Sequence, residues 1–126
     1  MREEAANWLK QARANFDAAN VNFRSGTYFV SAFLCQQSAE AALKAFCIEK
    51  NRKLTPTHNL RDLGELVGAP KEIMSDLLEL NPDYVISRYP DAANGVPSEM
   101  YDAKKIDRKI VSAKKVLDWV EKCLKE

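Results

Sequence analysis

Near the end of the chain six apolar residues, Ile106, Ile110, Ala113, Leu117, Val120 and Leu124, stand at alternating steps of four and three. That spacing returns an apolar side chain to one face of an α-helix at every turn and draws a narrow seam along it. Such a seam must be covered by other helices, so a helix over about residues 102–124 commits the chain to a bundle. The beginning of the chain repeats the pattern. Ala5, Leu9, Ala12, Phe16, Ala19 and Phe23 recur at three- and four-residue steps, with Trp8 widening the stripe, over about Glu3 to Phe23.

Gly26 is suited to a left-handed cap at the end of that first helix, and Ser25 or Thr27 to capping the start of the next. The second helix, about Thr27 to Glu49, is apolar on more than one side: Phe29, Val30, Ala32, Phe33, Leu34, Ala41, Leu43, Ala45, Phe46 and Ile48. A helix of this kind is central, or packs on two neighbours, which here would be a bundle-mate and a second subunit. A polar loop with Pro56 follows, then a short helix over Leu60 to Leu66 closed by Gly68. Pro70 fits the first position of a helix reaching about Leu80, with Ile73, Leu77 and Leu80 inward. Asn81-Pro82-Asp83 starts a short helical turn through Tyr84, Val85 and Ile86. Arg88 to Met100, with Pro90, Gly95 and Pro97, is the longest irregular segment, and connections of that length are often functional. Three long helices and a broken fourth predict an all-α fold. It is an antiparallel up-and-down four-helix bundle with an additional short helix, one domain spanning residues 1–126.

Composition agrees with a globular helical domain. Hydrophobic residues make up 46% and charged residues 29%, with only 4 Gly and 5 Pro, which excludes a disordered tail. The net charge of +1 argues against coating nucleic acid by bulk electrostatics. Its distribution is uneven: residues 59–101 carry 3 basic and 8 acidic groups, between two mildly basic ends. The most apolar stretch, Tyr28 to Ile48, is interrupted by Gln36, Gln37, Glu40 and Lys44, so it is not a membrane span. Cys35, Cys47 and Cys123 form no CxxC pair and fall in helical patterns, as expected of reduced cysteines in the cytoplasm. With a single histidine, a four-ligand zinc site is excluded, and neither metal nor cofactor is expected.

Several residues stand out chemically. Arg88, within Ser87-Arg88-Tyr89-Pro90-Asp91, either forks a phosphate or pairs with Asp91 or Glu40. Gln37, Glu40 and Lys44 form a polar strip on the second helix, either lining a nucleotide cleft or standing solvated as an ordinary Glu–Lys pair. His58, after Thr55-Pro56-Thr57 and before a helix, is the one candidate for neutral-pH proton transfer, and its position favours ordering of the loop. Tyr89 and Tyr101 flank the irregular segment; each is a candidate for stacking on a base, or for burial with a tethered hydroxyl. No Walker loop, GxGxxG, GxSxG or HExxH is present.

Taken in order, Trp8 with Ala12, Gly26-Thr27-Tyr28, Gln36 through Lys44, Thr57-His58-Asn59-Leu60, Arg88-Tyr89-Pro90-Asp91 and Tyr101 before the final helix span nearly the whole chain. The chain resembles the small stand-alone prokaryotic members of the HEPN family, the higher-eukaryote and prokaryote nucleotide-binding domain. The resemblance implies a homodimer whose cleft lies on the two-fold axis, and a minimal nucleotidyltransferase as partner in a two-component, toxin–antitoxin-like pair. It implies a nucleotide or RNA phosphate held by Arg88, with Asp91, Glu40, Lys44, Gln37 and Tyr101 shaping the site. Many members are metal-independent ribonucleases in which four to six residues separate the arginine from a following histidine. Here those positions are Ala93, Asn94 and Gly95, so the candidate catalytic residue is Arg88 alone. Arg52-x5-His58 matches the spacing but lies in the loop after the second helix, away from the family's site. Cleavage by Arg88 alongside His58 or Tyr101, and a helical interaction module without ligand, are the alternatives.

Overall fold

The computed structural model describes residues 1–125. They form seven α-helices and a 3₁₀ turn: α1 (Glu3–Ser25), α2 (Tyr28–Asn51), α3 (Leu60–Leu66), α4 (Lys71–Leu80), α5 (Asp83–Ile86), α6 (Pro90–Ala93), the 3₁₀ turn (Pro97–Glu99) and α7 (Ala103–Lys125). No strand occurs among the described residues.

α1 and α2 form an antiparallel hairpin. Gly26 adopts φ 81°, the left-handed conformation that reverses the chain without a Cβ penalty. Thr27 stands at the N-cap of α2 but makes no side-chain capping bond; the Ser25 and Thr27 hydroxyls bond each other instead. Two buried serines of α2 fix the hairpin's register: Ser31 Oγ donates to the Ala19 carbonyl and Ser38 Oγ to that of Ala12, both at 2.8 Å. Facing positions stay small, with Ala12, Ala19, Ala32 and Ala39 all fully buried, so the two backbones approach closely. α2 is the central helix, buried on nearly every side against α1, α7 and the short helices. Its seam with α7 includes Phe46 stacked on Trp119 at 5.6 Å.

The fourth member of the bundle is α3 and α4 together, which cover the remaining sides of α2 and α7 with Leu60, Leu63, Leu77 and Leu80. Asn59 caps α3, its Oδ1 accepting from the amides of Arg61 and Asp62. Asn81 also serves that helix start, its Oδ1 accepting from the Leu60 amide at 2.7 Å, rather than capping α5 as its place before Pro82 suggested. Pro70 stands at the N-cap of α4, one residue earlier than expected. The segment from Arg88 to Met100 is not structureless: Pro90 starts the turn of α6, Asn94 closes it with φ 54°, and Pro97 starts the 3₁₀ turn. Each proline presets the φ of a first helical position, which local periodicity in so short a stretch did not reveal. No described helix is long and apolar enough to cross a membrane.

Candidate functional site

Glu40 lies in the middle of α2 with only 7% of its side chain exposed. A carboxylate there must find partners for its lone pairs or bear the full cost of desolvation. It finds four. Oε1 accepts from Gln36 Nε2 at 3.2 Å and Gln37 Nε2 at 3.3 Å; Oε2 accepts from Lys44 Nζ and faces His58 Nδ1, both at 2.9 Å. Burial pushes the Glu40 carboxyl up, but the bonds from His58, Lys44 and Gln36 together outweigh it and hold it below its ordinary value. Lys44 is as buried as its partner and lies over the Trp8 ring at 5.5 Å. The polar strip on α2 is therefore neither solvated nor an ordinary surface pair; it is an ionic network inside the bundle.

The network reaches the surface through His58. With an anionic acceptor at Nδ1, that nitrogen carries the proton, and Nε2 is left for other work. Gln36 also donates to the His58 carbonyl, fixing the loop that carries the ring. Half of the His58 side chain is exposed, and the ring stacks on Tyr84 at 4.5 Å and 13°. One turn after Tyr84 comes Arg88. Its Nε donates to the Tyr84 carbonyl at 2.8 Å, and its guanidinium carbon lies 4.3 Å from the Tyr84 ring centroid, 4.8 Å from that of Tyr89 and 5.0 Å from that of Phe33. No carboxylate pairs with Arg88 among the described residues, so neither ion pair expected for it, with Asp91 or with Glu40, is formed. Exposed and held on aromatic faces, it offers its terminal N–H groups outward.

The site residues expected from sequence thus divide. Glu40, Lys44 and Gln37 form one network, and Arg88 joins it through Tyr84 and His58. Asp91 is exposed in the first turn of α6 and makes no ion pair with Arg88. Tyr101 belongs to another cluster: its hydroxyl donates to Asp83 Oδ1 at 2.6 Å, and Lys109 Nζ lies 2.7 Å from both Asp83 Oδ2 and Glu79 Oε2. Burial and the bond to Asp83 raise the Tyr101 phenol well above its ordinary range, so it stays protonated as a donor. Burial also raises the Asp83 carboxyl, against the pull of Lys109 and Tyr101. Burial pushes the Cys35 thiol up to about 12, which removes it as a nucleophile at neutral pH. No cluster of metal-ligating side chains occurs among the described residues.

Gln36 and Tyr84 complete the site without having been named among its candidate residues. Gln36 precedes Glu40 by one helical turn, as Tyr84 precedes Arg88, so a four-residue spacing was the available signal for each.

A helical bundle with a buried ionic strip and one outward arginine defines the class, and comparison with known proteins gives the family. The HEPN domain family matches residues 5–123, and the chain belongs to it. The chain is similar in structure to TT1696 from Thermus thermophilus, with a TM-score of 0.86 and 31% identity over 96% of this chain and 98% of that one. It is similar to ST0689, an archaeal HEPN homologue, with a TM-score of 0.85 and 30% identity over 98% and 99% of the two chains. None of the curated proteins matches.

Proposed function

We propose that the protein binds a nucleotide, or the phosphate of an RNA end, at Arg88, and that it does so as a homodimeric partner of a minimal nucleotidyltransferase. The observation that carries this reading is the guanidinium of Arg88, exposed without an acidic partner among the described residues and laid on the rings of Phe33, Tyr84 and Tyr89. A forked cation beside aromatic faces suits a phosphate with its base nearby. Glu40, Lys44 and Gln37 support the site from beneath by fixing His58 and, through it, Tyr84. The partly buried Phe29, Val30, Phe33 and Leu34 on the first turns of α2 support a second subunit packing there. ATP or AMP should raise the melting temperature of the wild type and leave that of Arg88→Ala unchanged; equal shifts in both would remove Arg88 from the site.

One observation favours a second reading, cleavage of RNA. His58 and Arg88 lie on the same Tyr84 ring, and Glu40 holds the imidazole so that Nε2 is free. His58 would take the proton of a 2′-hydroxyl as its oxygen attacks the adjacent phosphorus. Arg88 would stabilise the pentavalent charge, and the departing 5′-oxygen would take a proton from water. RNA cleavage without metal, abolished by both Arg88→Ala and His58→Ala, selects this reading; no cleavage by the folded wild type leaves binding and partnership.

A further inference from the structure

Beside the His58–Tyr84 stack lies a depression of about 290 Å³ lined by His58, Asn59, Asn81, Pro82, Tyr84 and Val85. It holds no Lys, Arg, Asp or Glu. A phosphate has little to bind there, whereas a flat, neutral, polar-edged group does.

The two asparagines determine what kind of edge. Their amide oxygens are already occupied. Asn59 Oδ1 accepts from the amides of Arg61 and Asp62 and from Asn81 Nδ2, at 2.9, 3.2 and 3.3 Å. Asn81 Oδ1 accepts from the Leu60 amide. These bonds leave no freedom in assigning oxygen and nitrogen, because exchanging them would set donor against donor. The first amides of α3 are also occupied in this way, so the groups that the two asparagines leave over are donors. Both hydrogens of Asn59 Nδ2 and one of Asn81 Nδ2 have no protein partner among the described residues.

We infer that this depression is the seat of the nucleobase, and that Asn59 and Asn81 select a base presenting two adjacent acceptors, a guanine rather than an adenine. Guanine offers O6 and N7 side by side; adenine sets the N6 donor beside N7, which would face an asparagine N–H. The Tyr84 ring connects this seat to Arg88, so one nucleotide spans both, its phosphate on the guanidinium and its base at the amides. This assignment rests on the nucleotide reading of Arg88 and adds to it the base recognised.

The test compares GMP and AMP by titration calorimetry on the wild type, Asn59→Asp and Arg88→Ala. Asn59→Asp keeps the oxygen that caps α3, since aspartate and asparagine cap equally well, and replaces only the donor. The wild type should bind GMP about tenfold more tightly than AMP. Asn59→Asp should abolish that preference at an unchanged melting temperature, and Arg88→Ala should weaken both ligands while keeping their ratio. Equal affinity for GMP and AMP in the wild type, both weakened by Arg88→Ala, overturns the base seat and leaves the phosphate site standing. A GMP preference that survives Asn59→Asp also overturns it. No binding of either nucleotide overturns both assignments.

Discussion

Among the single residues of this chain, Glu40 carries the most. Burial alone would favour its neutral form, yet the bonds from His58, Lys44 and Gln36 keep its carboxyl below the ordinary value. A group depressed in the folded state stabilises above its unfolded value and loses that contribution as pH falls through the folded one. Urea unfolding of the wild type should therefore show stability falling away at pH values below 4.5, the unperturbed value for this carboxyl. Glu40→Gln should lack that component and, with Lys44 left buried opposite a neutral amide, be weaker by about 3–5 kcal/mol at pH 7. A variant with the same pH profile as the wild type would show that the network does not hold its charge. The four-residue spacing of Glu40 and Lys44 was legible in the sequence; their burial was not, because the helices covering that side of α2 come from distant parts of the chain. The same holds for His58. Nothing near it in sequence names Tyr84 or Arg88, and the fold brings them together by placing α5 beside the loop that follows α2.

Helices whose apolar faces recur over several turns were readable with nearly their observed ends: α1, α2, α4 and α7 all carry enough repeats for the period to show. The single turns, α5 and α6, are too short for a period and depend on proline and on tertiary contacts. α3 lies between these cases, and its start is held by two side chains, Asn59 and Asn81. Asn59→Ala removes the oxygen serving the amides of Arg61 and Asp62, and should cost about 1 kcal/mol, read from the midpoint of denaturant unfolding. A loss within the error of the measurement would mean that Asn81 alone suffices to hold the helix start.

For the molecule as a whole, two kinds of glue hold the bundle together. One is apolar: Leu43 is fully buried near the centre of α2, and Leu43→Ala should cost about 2–5 kcal/mol, depending on how far its neighbours close in. The other is ionic. Lys109 of α7 reaches the Glu79 carbonyl and carboxylate in α4 and the Asp83 carboxylate in α5. Burial works against its charge, and Asp83 and Glu79 outweigh that and raise its affinity for the proton. Lys109→Met would leave Asp83 buried without its cation and should destabilise by about 3–5 kcal/mol. The double variant Lys109→Met with Asp83→Leu should recover much of that loss, because a buried pair replaced by apolar groups is often neutral. No recovery would assign the effect to packing of the lysine stem.

α5 is four residues long, and neighbouring positions in it do different work: Asp83 is locked to Lys109 and Tyr101, while Tyr84 carries His58 and Arg88. A single turn has no length in which to absorb strain, so the lock and the aromatic platform move as one body. On the nucleotide reading proposed above, engagement of AMP or GMP at Arg88 should therefore slow amide hydrogen exchange in the first turns of α7 as well as at the site itself. By reciprocity, loosening the Lys109 clamp should weaken ligand affinity without touching any group that meets the ligand.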